Sequence, residues 1–514
     1  MEGWKEFCSK VEFGKCDTES LRKLAKENSG KFGVYPGSIN LTDGSCFFIS
    51  LFNNSKVLII LGDKGVHYDR FSGVEVKLDA AKARICELNN ANCKVLREIF
   101  PFTNPVSHKG RKVTIGLGDR LGLASAGHIR LVKEYDVFPV LAQQSIRELN
   151  LTGRTYDDVL SAAVWAVFQE GYTSGYGADG DHLKTASEVR MALDCGFTMI
   201  TLDCSEHINN KVVSLSDTEV DEMYSNLPKD EKERLETSYL GKIFSISDDF
   251  TIEFSENVFR RTVLIYYKAI IHTIDIYNNV IKNCGRNIDF EMSIDETLTS
   301  TSPESHFFTV SELIAGGVDT TSLAPRFCGE FQKGIDYRGD VGTFTKEFTM
   351  HVKIAEYFGY KISVHSGSDK FTVFPIIGEK TGGTYHLKTA GTNWLEAVRI
   401  ITVKKPELYR RMHKFALSRL DEARKYYHIS ANAANIPDID TLSDEQLLDL
   451  MNKDDSRQVL HITYGILLLE KNSDGSFMFK DEIYAVLNKY EDEFCQALQK
   501  HIGKHLEKLG VCRT

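Results

Sequence analysis

The sequence predicts an α/β chain built on a closed (β/α)8 barrel of the TIM type, with an N-terminal α/β cap region and a helical C-terminal extension. Three observations lead there. The chain has 514 residues, too many for one ordinary domain but suited to one barrel-sized domain with appendages. From about residue 112, short β-branched runs alternate with stretches whose apolar residues recur every three or four positions, the mark of βα units on a parallel sheet. Eight such runs can be counted, the number a closed barrel needs.

Residues 1–110 hold two strand-like runs, CFFISLF (46–52) and KVLIILGD (56–63), then a helical stretch near 79–98, and read as a cap. Residues 111–401 hold the barrel. Its candidate strands are KVTIGLG (112–118), FPVLAQQ (138–144), GYTSGYGA (171–178), FTMITLD (197–203), IDFEMSID (288–295), TTSLAPRF (320–327), KISVHSG (361–367) and TYHLKTAG (384–391). Helices such as 155–170, 185–196 and 341–359 lie between them, and Gly196, Gly317 and Gly359 stand where helices should stop. An acidic, polar insertion at about 208–256 separates the fourth and fifth strands. It is expected to be a solvated helical hairpin, with a lid or a homo-oligomer contact as its other uses. Residues 402–514 read as helices packed beside the barrel.

Composition narrows the function classes. Hydrophobic residues at 42% and charged residues at 26% support a large core, so disordered and fibrous classes are out. A net charge of -10 argues against a nucleic-acid partner or a basic membrane face. Ten prolines leave no room for long proline-rich linkers. The eleven cysteines are scattered, without a C-x-x-C, which fits neither a disulfide framework nor a zinc ribbon. No leader-like segment opens the chain and no apolar run nears 18 residues, so a reducing, cytoplasmic location is expected.

In a barrel of this kind the active site forms at the C-terminal ends of the strands, and polar residues concentrate there. Asp181 and His182 follow a glycine-rich turn, where an imidazole can bind a divalent metal while the adjacent carboxylate moves a proton. His365 offers a second imidazole, and the pair suits Zn, Co, Ni or Mn. His386, Glu296 and Glu330 are the candidates for a third ligand. Asp295 and Glu296 end the fifth strand; Asp295 also reads as a helix N-cap, and Glu296 pairs with Asp181 as a second acid/base carboxylate. Arg120, Lys184, Arg326, Lys370 and Lys388 at one rim suggest an anionic substrate, and Ser366, Gly367 and Ser368 add donors for it. There is no Walker A, H-E-x-x-H or G-x-S-x-G, and GLGDRLG (116–122) places its third glycine one residue too late for a dinucleotide loop.

With these residues in place, the sequence resembles the tagaturonate epimerase family, also called the tagaturonate/fructuronate epimerases. The resemblance rests on GLGDRLGLASAGH (116–128), GADGDHLKT (177–185), SIDET (293–297), SLAPRFCGEFQKGIDY (322–337), ISVHSGSDKF (362–371) and HLKTAGTNWLEA (386–397), which run in order over roughly 112–400. It implies a metal-dependent interconversion of D-tagaturonate and D-fructuronate, small ketouronates that differ at the carbon β to the ketone. A β C–H is not acidified by the carbonyl, so retro-aldol cleavage and re-addition is the expected route. A more distant likeness to class II metal-dependent aldolases implies Asp181 as the proton-transfer group and His182 and His365 as ligands. The aldolases' third histidine has no counterpart after GVDTTSLAPRF (317–327). Asp181 and Glu296 are then the acid/base pair, and Arg326, Lys370, Lys388 and Ser366 the substrate contacts. The rival readings are an aldolase or epimerase of another keto-sugar, of the tagatose or fructose type, and a non-catalytic barrel subunit supporting an aldolase.

Overall fold

A computed structural model describes residues 3–53, 55–62, 65–78, 81–295 and 297–514. The N-terminal region forms an antiparallel sheet of β1 (Asn40–Thr42), β2 (Ser45–Phe52), β3 (Ser55–Leu61), β4 (Val74–Lys77) and β5 (Lys82–Glu87), in the order β1-β2-β3-β5-β4. Part of the expected helix at 79–98 is therefore strand. Lys82–Glu87 pairs with β3, as in Leu58 opposite Cys86, and the helix Asn90–Ile99 starts only where Asn89 caps it.

Eight parallel strands close the barrel: β6 (Val113–Gly116), β7 (Phe138–Gln144), β8 (Gly177–Leu183), β9 (Met199–Asp203), β12 (Asp289–Ile294), β13 (Ser322–Pro325), β14 (Lys361–Val364) and β15 (Tyr385–Lys388), where β15 pairs with β6 and β9 with β12. β10 (Ile243–Ser247) and β11 (Phe250–Glu253) form a separate hairpin in the insertion. Seven strands lie within the expected runs; the third does not. GYTSGYGA (171–178) overlaps the strand Gly177–Leu183 only in its last two residues, so Asp179 and Asp181 are strand residues and not loop residues. Glycine-rich text hid the strand, because Gly177 and Gly180 have no side chain to show alternation and are there for packing. A Cβ on Gly180 would come within 2.9 Å of Ala192 and Leu183.

The predicted helices form; of the expected stops, Gly196 and Gly359 are C-caps and Gly317 follows the C-cap Gly316. Thr155 and Thr185 close capping boxes with Asp158 and Glu188, and Gly196 and Gly359 take the left-handed C-cap conformation. The N-cap of the helix Pro303–Ala315 is Ser302, which removes the capping role considered for Asp295. The insertion adds two short helices and the β10–β11 hairpin, and it packs on outer helices through Arg234 on Glu312 and Phe244 on Phe307. It is more than a helical hairpin. No helix among the described residues is long and apolar enough to cross a membrane, and all eleven cysteines are free.

After β15 the chain is helical to its end. Trp394, Met412, Leu460, Leu487 and Leu498 belong to one apolar cluster that joins these helices to Leu121 and Ala124 beside the barrel mouth. The final helix, Glu491–Lys508, also ties down the turn after β14. His501 lies 3.2 Å from Glu396 and donates to Asp369, whose other oxygen takes Arg457 at 2.7 Å. His505 is saturated by backbone, accepting from Asp369 N–H and donating to His501 O, so it has no lone pair left for an ion.

Burial opposes the charge on His501, but Asp369 and Glu396 outweigh it and raise its pKa. Burial likewise opposes ionised Asp369, yet His501 and Arg457 hold it well below the carboxylate range. The carboxylate's contribution is present above its unfolded value of about 3.9, and the imidazolium's is full below about 6.5 and lost as pH rises through the raised folded value. His501→Gln should therefore cost about 1.5–3 kcal/mol near pH 5.5. The difference in melting temperature from wild type should narrow steadily toward pH 9; a gap independent of pH would contradict the pairing.

Candidate active site

Alternate residues on a strand face the same side, and the polar text of these strands follows that rule inward. Asp179 and Asp181 on β8, Glu291 and Ser293 on β12, Ser363 and His365 around the end of β14, and His386 and Lys388 on β15 stack in layers up the barrel axis. A register shift between Gly180 and Leu183 lets Asp181 and His182 share one rim. His182 has φ +51°, a left-handed conformation that costs a non-glycine residue roughly 1 kcal/mol or more. Ser366, just past His365, also has φ +51°.

Lys388 is the hub. Its ammonium lies 2.9 Å from Asp179, 2.7 Å from Asp181 and 2.9 Å from Glu291, and also donates to Thr201. Burial disfavours the ammonium, but three carboxylates outweigh it and hold the pKa well above the lysine range. In return, and against burial, Lys388 keeps Asp181 and Glu291 well below the carboxylate range. Asp179 moves the other way, raised by burial against the pull of Lys388 and by repulsion from Asp181 and Glu291.

Above this floor His182 and His365 meet with ring centroids 4.8 Å apart. His365 contacts Glu291 at 2.6 Å through Nε2 and Asp295 at 3.1 Å through Nδ1; His182 contacts Asp181 at 2.9 Å and Asp295 at 3.7 Å. Donor atoms of His182, Asp295 and His365 all lie within 4.8 Å of one another. Metal–ligand bonds of about 2.0–2.2 Å place two donors up to about 4.4 Å apart, so small side-chain shifts let the three share an ion. The charges agree. Asp181, Glu291 and Asp295, all held toward the ionised form, share the site with Lys388, leaving a surplus of negative charge that a divalent cation or two imidazolium ions would offset equally. With protons alone, and despite burial, the carboxylates raise the pKa of both histidines.

The donor that joins the two imidazoles is Asp295; its neighbour Glu296, one of the three expected candidates, lies outside the described residues. Strand parity is the signal that finds it: Glu291, Ser293 and Asp295 are spaced by two. His386 lies a layer deeper, bonded to Thr114 at 2.8 Å and stacked on His108, and Glu330 sits exposed at the rim, its carboxylate taking Gln332. Neither joins the cluster.

The cluster opens into a cavity of about 70 Å³ lined by Arg120, Arg147, Lys333, Tyr427 and His461 among others. Six lining residues are shared with a wider cleft of about 310 Å³ that holds Arg326 and Glu330. Ser366 lines both and takes the Lys333 ammonium at 2.8 Å. None of these lining residues comes from the insertion. Lys184 points elsewhere, to Glu206 at 2.8 Å. Lys370, expected as a substrate contact, is a brace: fully buried, it donates to the carbonyls of Gln332, Ile335 and Ser368 at 2.6–2.9 Å, and burial pulls it down to about 7 against Asp369.

Comparisons with known proteins identify the family. The model of the tagaturonate epimerase family matches residues 35–509. This chain belongs to that family. The tagaturonate/fructuronate epimerase of Thermotoga maritima is 41% identical over 489 residues, which are 95% of this chain and 99% of that protein. Crystal structures of the fructuronate-tagaturonate epimerase of Cohnella laeviribosi, native and with glycerol, are 48% identical and superpose with a TM-score of 0.91 over 96% of this chain and all of theirs. The relatives are epimerases, and the chain is accordingly an enzyme of the isomerase class.

The brace assigned to Lys370 can be checked. Lys370→Met should cost about 1–3 kcal/mol for each carbonyl left unsatisfied, seen as a lower melting temperature, with KM within a few-fold of wild type. A large rise in KM at unchanged stability would return Lys370 to the substrate.

Proposed function

We propose that this chain interconverts D-tagaturonate and D-fructuronate with a divalent metal, by retro-aldol cleavage and re-addition. The observation that carries the reading is the cluster of His182, Asp295 and His365 beside ionised Asp181, under a cavity walled by cations. These residues suit Zn, Mn, Co or Ni, and an ion held by His182, His365 and Asp295 would supply Lewis-acid polarisation of the ketone. Free cysteines throughout fit a reducing, cytoplasmic setting.

The two ketouronates differ at the hydroxyl-bearing carbon β to the ketone. Asp181 takes the proton of that hydroxyl as the bond between the α and β carbons breaks. The bonding pair passes to the ketone fragment as an enolate, and the β carbon becomes an aldehyde. The aldehyde turns over, the enolate attacks its other face, and Asp181 returns the proton. Lys388, 2.7 Å away, keeps Asp181 ionised and ready. The same ammonium makes the carboxylate a weak base, so proton transfer has to be concerted with bond cleavage. The competing route, direct proton exchange at the β carbon between Asp181 and Glu296, must remove a hydrogen that no carbonyl acidifies.

His182→Ala should lose both bound metal and turnover, whereas Asp181→Asn should keep the metal and lose about 10²–10⁴-fold in kcat. An active His182→Ala enzyme with full metal would remove the ligand set. In D2O the epimer should retain protium at the inverted carbon, read by NMR; deuterium there would favour direct exchange.

A further inference from the structure

We infer that Arg120 and His461 receive the carboxylate of the substrate, and that the helices after the barrel are thereby part of substrate recognition. The inference rests on the ketouronate reading above.

Arg120 follows β6 and is 3% exposed. Glu148 holds its Nε at 2.9 Å and one terminal nitrogen at 2.8 Å, and the guanidinium lies 4.0 Å over the Tyr464 ring. That fixes the plane and leaves Nη1 without a partner in a group that lines the cavity. A buried unpaired donor costs about 1–3 kcal/mol, so a ligand that fills it gains from the vacancy. His461, on the helix Asp454–Ile462, is 1% exposed, lines the same cavity and has no partner at either ring nitrogen. Burial, with Arg120 and Lys333 nearby, keeps it neutral, so it offers one donor and one acceptor. Its ring fits only because residue 391 is glycine: a Cβ there would lie 2.2 Å from the imidazole Cε1.

The polarity of the cavity sets the direction of binding. Asp181 and Asp295 repel a carboxylate from the metal cluster's side. Arg120, set at a fixed angle with Arg147 and Lys333 in the same wall, attracts it. The ketone end is then left facing His182 and His365. A neutral ketohexose would lie beside the same arginine without the charge to engage it.

Calorimetric titration of the metal-loaded enzyme with D-tagaturonate and with neutral D-tagatose separates the possibilities. Arg120→Met alone strands the buried Glu148 carboxylate, so the double variant R120M/E148Q is the test, with melting temperature and metal content as checks of folding. It should bind tagaturonate about 100-fold more weakly and tagatose less than about 3-fold more weakly, and Arg120→Lys should recover part of the loss. His461→Phe should also weaken tagaturonate selectively. A folded R120M/E148Q enzyme that keeps the wild-type preference for tagaturonate over tagatose overturns the assignment. If the wild type shows no preference for the charged sugar, the ketouronate reading falls first and the carboxylate site with it.

Discussion

A parallel barrel sends every second side chain of each strand to its axis, and in this chain the axis carries charge. The arrangement depends on one buried ammonium. Lys388 touches Asp179, Asp181 and Glu291 at once, and without it three carboxylates would stand together in a low-dielectric interior. Losing one partner of a buried ion pair typically costs about 3–5 kcal/mol, and here several would be lost together. Lys388 therefore both stabilises the barrel and sets the ionisation of the group proposed to move the proton.

From that floor the site is built upward by strain and charge. His182 adopts a costly backbone conformation beside Asp181, and Asp295 stands where both imidazoles reach it. The surplus negative charge asks for a cation, while the wall made by Arg120, Arg147 and Lys333 asks for an anion. A divalent cation would answer the first and a carboxylate the second, so the proposed substrate, with a carboxylate at one end and a ketone at the other, would bridge the two; a net charge of -10 describes only the surface around them.

The regions outside the barrel share the work unequally. The C-terminal region supplies His461 and Tyr464 from its helices and Tyr427 from a loop to the cavity or its walls, and its last helix locks the turn after His365 through His501 and Asp369. The insertion packs on outer helices and contributes no residue to the lining of the site.

By itself the sequence determined the barrel, because βα alternation follows from local periodicity, and it determined the family, because its motifs are contiguous phrases. It also supplied Asp181, His182 and His365, which sit at strand ends where the architecture concentrates function. Other points depended on distances between residues far apart in the chain. Asp295 faces the imidazoles, Lys370 reaches three carbonyls rather than the cleft, and His461 arrives from a helix 75 residues after His386. The third strand was hidden because its glycines are chosen for close packing, which has no signature in hydrophobic alternation. Local pattern specifies which elements form; the closing of the barrel decides which side chains share a hydrogen bond, and the chemistry depends on that.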